Sequence, residues 1–170
     1  MNKLKEKTIL ITGAAKRLGK AIALHCAREG MNVIVHYRSS KDEAERTVSR
    51  IKKEGVNAFT VQADLSQSTE VERFFREALD SAGQIDAIVN NASVFDADTL
   101  DDFTEKDLQR NITINTWAPF LLSRLFSRTV KTGNIINLLD ARVIDYDREH
   151  ISYHRSKHGL VDVKRMCASE

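Results

Sequence analysis

Short apolar runs alternate along the chain with longer stretches in which apolar residues recur every three or four positions. Thr8-Ile9-Leu10-Ile11 is a continuous apolar run that stops at Thr12-Gly13. From Arg17 to Glu29, Leu18, Ile22, Ala23, Cys26 and Ala27 recur at helical spacing, and Gly30 stands where a helix-terminating glycine belongs. Asn32–Tyr37 reads as a second strand, Asp42–Lys53 as a charged surface helix closed by Gly55, and Ala58–Gln62 as a third strand. Ser66–Ala82 predicts a helix closed by Gly83, and Ile85–Asn90 a fourth strand. Thr104–Arg128 predicts one long helix opened by a capping box, Thr104-Glu105-Lys106-Asp107. Asn134–Leu139 is a fifth strand, and Ser152–Ala168 a last helix.

Strands that each lead into a helix imply a parallel sheet covered on both faces. Right-handed crossovers then give a doubly wound α/β fold with strand order 3-2-1-4-5 in a single domain. Such sheets bind ligands at the carboxyl ends of the strands, near the point where the order reverses. The motifs considered below all fall at those ends.

Composition narrows the function little. The chain has 170 residues, 42% hydrophobic and 29% charged, with a formal net charge of +2. A balance so close to neutral gives no argument for nucleic-acid or membrane binding, so any anion recognition must be local. No window approaches a membrane span, and the amino-terminal run lacks the features of a signal peptide. Cys26 and Cys167 have no paired spacing, which fits a reducing cytoplasm and small apolar residues on helices. His154 and His158 stand four apart with no third ligand, so no metal is expected.

Strand one ends in TGAAKRLG, Thr12 to Gly19. A strand, a glycine turn and a helix start together form an anion site, because backbone N–H groups and the helix dipole face a pyrophosphate. Gly13 permits the turn, and Gly19 allows close packing of helix on strand. Asn90-Asn91-Ala92-Ser93 closes strand four, Asn115 lies inside the long helix, and Tyr153-His154-Arg155-Ser156-Lys157 opens the last helix. Together these motifs resemble the short-chain dehydrogenase/reductase family over the whole chain, from Lys7 to Glu170. Arg17 at the usual middle glycine, HYRSS, NNASVF, and Asp140 where most members carry a serine are similar to pteridine reductases and dihydrofolate/dihydromonapterin reductases.

The resemblance implies an NADPH-dependent reductase that transfers hydride to a C=N bond of a pterin or folate-like substrate. Strand two ends in His36-Tyr37-Arg38-Ser39-Ser40 with no carboxylate, and Arg38 with the serine hydroxyls suits a 2′-phosphate. The cofactor is expected along Gly13, Arg17, Leu18 and Gly19, and along His36, Tyr37, Arg38 and Ser39. Asp64 and Leu65, then Asn90, Ala92 and Ser93, and finally Tyr153 and Lys157 complete its site. Asp64 reads equally well as the cap of a turn.

Tyr153 and Lys157 share one helix face, and a nearby ammonium lowers a phenol from its reference pKa of about 10. Such a tyrosine can deliver a proton. The resemblance makes Tyr153, Lys157, Asp140 and Asn115 the catalytic set. It assigns Asn115 to a water relay toward Lys157, and Asp140 to proton delivery at pterin nitrogens. Phe95 would sandwich the substrate, while Arg17, Ser93, Asp140 and Tyr153 touch it.

Members of the family hold about 250 residues, so the chain is expected to be truncated at its C-terminus, leaving strand five with an open edge. The long helix and the last helix resemble the family's dimerising pair, which implies a homo-oligomer, a dimer or tetramer. Two other functions compete: a carbonyl or 3-oxoacyl reductase of the same family, and an inactive nucleotide-binding module.

Overall fold

The computed structural model describes residues 3–144 and 147–167. Strands β1 (Thr8–Ile11), β2 (Asn32–Tyr37), β3 (Ala58–Gln62), β4 (Ala87–Asn90) and β5 (Asn134–Asn137) form one parallel sheet in the order β3-β2-β1-β4-β5. The doubly wound fold expected from the apolar pattern is therefore the fold observed. Helices α1 (Arg17–Arg28), α2 (Lys41–Lys52), α3 (Ser68–Ala82), α4 (Glu105–Ile112), α5 (Ala118–Thr129) and α6 (Ile151–Cys167) make the crossovers.

The two-residue period of a strand sorts the core into two layers. Ile9, Ile11, Val33, Val35 and Val89 face α1 and α2, where Leu24 and Ile51 close the layer. Leu10, Ile34 and Ile88 point the other way, against Phe74 and Phe75 of α3 and Leu122 of α5. Because both faces are covered, β1 is apolar at nearly every position and buried throughout. β5 departs from this pattern: its residues alternate between exposed and half-buried, and Ile136 is 45% exposed on the outer edge of the sheet.

Helix ends follow the local chemistry. Gly83 closes α3 in the left-handed conformation at φ 75°, and its N–H donates to the Leu79 carbonyl. Thr104 and Asp107 form the reciprocal capping box on α4. The expected long helix is continuous, but residues Thr113–Trp117 wind as a π segment between α4 and α5. Strands β4 and β5 are shorter than the apolar runs suggest: Ile85 is buried ahead of the ladder, and Leu138–Asp140 leave it at the far end. Ala168, the expected end of the last helix, lies outside the described residues, as do the side chains of Cys167, Lys164 and Arg165. Cys26 packs half-buried against the α1 layer, where burial raises its thiol pKa. No helix among the described residues is long and apolar enough to cross a membrane.

Candidate active site

The glycine turn at the end of β1 is braced from three directions. Thr12 Oγ1 accepts the N–H groups of Asn91 and Ala92, each at 2.9 Å. Asn91 Nδ2 donates to the carbonyls of Thr12 at 2.7 Å and Gly13 at 3.2 Å. On the other side, Thr47 of α2 donates to the Ala15 carbonyl at 3.2 Å. Gly13 sits at φ 65°. A Cβ on Gly19 would lie 2.4 Å from the Gly13 carbonyl and 2.5 Å from Asn91 Nδ2, so no larger residue fits without movement. Arg17 also has a positive φ, 49°, a conformation that costs a side-chain-bearing residue about 1–2 kcal/mol. Strain of this kind persists where the surroundings impose it, and here both ends of the turn are pinned.

His36 closes the third side. Its Nδ1 accepts the Gly13 N–H at 3.0 Å, so the proton resides on Nε2, which donates to the Ala63 carbonyl at 3.1 Å. The ring is buried and lies 4.7 Å from Phe74. Desolvation holds the imidazole neutral and lowers its pKa to about 4, against the pull of the Ala63 carbonyl and Asp64.

In front of this turn opens a cleft of about 520 Å³. Gly13, Arg17, Leu18 and Gly19 line it, as do His36, Tyr37, Arg38 and Ser39, Asp64 and Leu65, and Ala92 and Ser93. The structure thus gathers these expected residues at one cavity. Asn90 does not line it; its amide turns away to donate to Asn137 Oδ1 at 2.7 Å. The side chain of Lys16, at the N-cap of α1, makes no cap hydrogen bond to the amides of the first turn. The Asp64 carboxylate accepts the Ser66 N–H at 3.0 Å, the turn cap that the sequence allowed, while also lining the cleft. Burial works to raise the Asp64 pKa, but the Ser66 hydrogen bonds and the charges of Arg38 and Arg110 leave it lowered. An uncapped helix start, an arginine at the rim and a strictly enforced glycine suit a dinucleotide phosphate.

Tyr153, Lys157 and Asp140 meet beside this cleft rather than in its wall. The Tyr153 hydroxyl donates to Asp140 Oδ2 at 2.7 Å. Lys157 Nζ donates to the Leu138 carbonyl at 3.0 Å and lies 5.7 Å from the centre of the Tyr153 ring. Asn115, inside the π segment, is fully buried. Its Oδ1 accepts from Ser93 Oγ at 3.0 Å and the Val94 N–H at 2.9 Å, and its Nδ2 donates to Val94 O at 3.0 Å and Ser156 Oγ at 2.9 Å. Ser156 in turn donates to the Tyr153 carbonyl at 2.7 Å. Cleft wall and tyrosine helix are therefore joined through one amide.

A second link was not among the residues expected from sequence. Asp98 is buried, and its carboxylate accepts the Ser152 N–H at 3.1 and 3.3 Å, capping the first turn of α6. The Asp98 backbone adds bonds to Glu149 and Ile151. No local motif could reveal this cap, because Asp98 and Ser152 are 54 residues apart. Asn91 and Thr12 were visible within their motifs, but their role as braces emerges only when β1 and β4 pair.

The sequence profile described as short chain dehydrogenase matches residues 7–170. The chain belongs to the short-chain dehydrogenase family. It is 35% identical over 139 residues to a short-chain dehydrogenase/reductase of Pestalotiopsis microspora, covering 82% of this chain and 52% of the relative. It is 32% identical over 167 residues to the 3-oxoacyl-acyl-carrier-protein reductase FabG of Staphylococcus epidermidis, covering 96% of this chain and 68% of that protein. The crystal structure of FolM alternative dihydrofolate reductase 1 from Brucella canis, complexed with NADP, superimposes with a TM-score of 0.90 at 32% identity. That match covers 96% of this chain and 67% of the solved one. The chain thus spans about half to two thirds of the length of these relatives.

In this member of the family the phenol and the carboxyl are hydrogen-bonded to each other, and the ammonium is held by a backbone carbonyl. Burial lowers the pKa of the Lys157 ammonium, and the Asp140 carboxylate opposes that shift. Phe95 stands beside Tyr153: the two rings are perpendicular, with centroids 4.6 Å apart, and Phe95 is 51% exposed. The constellation offers a phenol that can donate a proton, a carboxyl that can receive or share one, and a flat apolar wall.

Proposed function

We propose that the chain is the nucleotide-binding and catalytic part of an NADPH-dependent reductase acting on a C=N bond of a pterin or folate-like ring. The observation that carries this reading is the 2.7 Å hydrogen bond between Tyr153 and Asp140, with the ring of Phe95 against that of Tyr153. A ring nitrogen accepts a proton and a neighbouring ring N–H donates a hydrogen bond. A carboxyl group can give up a full proton when protonated and accept the N–H when ionised, whereas a serine hydroxyl can hydrogen-bond in both senses but does not ionise near neutral pH. The structure of FolM with NADP supports the reading through a relative of similar fold.

When bound, the cofactor supplies a hydride. The residues of the chain do the rest. Arg38 and Ser39 at the rim would hold the 2′-phosphate, and the first turn of α1 the pyrophosphate. Tyr153 hands its proton to the substrate nitrogen, Asp140 shares the hydrogen bond, and Lys157 favours the phenolate that remains. Asn115 fixes the tyrosine helix against the cleft wall. Phe95 would offer a substrate ring a flat apolar face beside Tyr153.

The second reading, a 3-oxoacyl or carbonyl reductase, is favoured by the likeness to FabG at the same level of identity. The experiment that separates them follows NADPH oxidation with dihydrofolate or a dihydropterin and, in parallel, with a 3-oxoacyl thioester. Turnover of the ring substrates and its loss in Asp140→Ser supports the first. Turnover of the thioester alone replaces it with the second. The resemblance further carries an assembly of identical chains in the cytoplasm, with exposed Ile112 and Trp117 as apolar contributors to the contact; light scattering tests the assembly.

A further inference from the structure

Phe95 is a half-exposed aromatic ring on the irregular loop that follows β4, at right angles to the ring of Tyr153 on α6. A ring so placed tends to turn on its χ angles and hide its faces from water. Here one face is covered: the imidazole of His150 lies parallel to it, with centroids 3.8 Å apart and 14° between the planes. His150 is itself fixed. Its backbone bridges Asp98, its carbonyl accepts the His154 N–H, and its Nδ1 is 3.0 Å from Asp147 Oδ1. Asp147 is tethered in turn by the Glu149 N–H at 3.0 Å and by the His154 ring at 3.3 Å. The backing plate is therefore anchored three residues ahead of Tyr153, on the turn that starts α6.

We infer that His150 is a positioning residue that sets substrate preference: by holding Phe95 as a rigid flat wall beside the Tyr153–Asp140 pair, it favours planar ring substrates over flexible acyclic ones. A planar substrate gains from a wall already in place, because stacking then costs little ordering of the loop. An acyclic chain makes no such stack and is indifferent to the plate. The His150 ring stacks on Phe95 and bonds Asp147, so its influence falls on binding rather than on the chemical step.

The inference rests on the reductase reading above. Its test measures kcat and KM with saturating NADPH for dihydrofolate and for a 3-oxoacyl thioester, in wild type, His150→Ala, His150→Gln and His150→Phe. The alanine and glutamine variants should raise KM for the ring substrate about ten-fold, with kcat within about two-fold. Their KM for the thioester and their affinity for NADPH, which also reports folding, should not move. His150→Phe, which keeps a plane without the tether to Asp147, should restore the wild-type KM. The inference is overturned if both substrates suffer equally, if the glutamine variant behaves as wild type, or if phenylalanine fails to rescue. A variant that does not fold is replaced by calorimetric titration of dihydrofolate into the NADP+ complex of wild type and His150→Phe, where unequal affinity overturns it. If wild type reduces no pterin or folate, the substrate reading falls first. The plate is then judged by the same KM comparison on a planar aromatic ketone against the thioester.

Discussion

The two ends of the sheet are built differently. Around β1 and β2 the strands are covered on both faces, and the turn after β1 is closed by side-chain hydrogen bonds of Asn91, Thr12, His36 and Thr47. Around β5 and α6 the strand is half-exposed, and the geometry depends on single side chains reaching across long loops: Asn115, Asp98 and Lys157. The nucleotide end is thus pinned by several side-chain bonds between strands and helices packed on both faces, whereas the reactive end beside the half-exposed β5 hangs on a few polar struts. Changes at the first should alter folding and cofactor binding together. Changes at the second should alter turnover while the cleft stays intact.

The largest test of that division is Tyr153→Phe. Loss of the proton donor should lower kcat by about 10²–10⁴-fold, while the Kd for NADPH measured by fluorescence stays at the wild-type value. A matching loss of NADPH affinity would merge the two regions. Next comes the pH dependence of the nucleotide end. The folded protein holds His36 neutral down to about pH 4, whereas an unfolded histidine protonates near 6.5. Stability from this group is therefore complete above pH 6.5 and lost as the pH falls through 6.5 to 4, by about 3 kcal/mol in all. Urea unfolding over that range should show a steeper fall in stability in wild type than in His36→Gln.

Gly19→Ala sharpens the same side: the intruding Cβ should cost about 2 kcal/mol of unfolding free energy and weaken NADPH binding with it. The smallest expected effect belongs to the reactive end. Asp98→Ala removes the cap of α6 and should cost about 1 kcal/mol in urea unfolding, lowering kcat but not NADPH affinity.

The same division explains what could be read along the chain. The strand order was legible because apolar runs and closing glycines are local signals, each readable within a dozen residues. The residues of the cleft were legible because the fold delivers strand ends to one place. His36 was expected at the cofactor and does line the cavity, but its ring is turned inward to hold Gly13, a partnership that appears only when β1 and β2 pair. Asn90 was expected there too and faces Asn137 instead. The cap from Asp98 and the plate at His150 were not legible, because each depends on a contact made by a loop far away in sequence. The winding change at Asn115 was invisible for a similar reason. Nothing in its local composition forbids an ordinary helix; its amide partners, Val94 and Ser156, come from elsewhere.

That winding change reaches beyond the asparagine. An α-helix advances about 100° per residue, so the wider turn at Thr113–Trp117 shifts the phase of everything that follows it. One rod can then address two neighbours from different sides, α4 lying against α6 and α5 against α3. A single-codon deletion within the five residues would leave a sound helix by every local measure. It would also rotate one half against the other by that angle, taking Asn115 out of line with either Ser93 or Ser156.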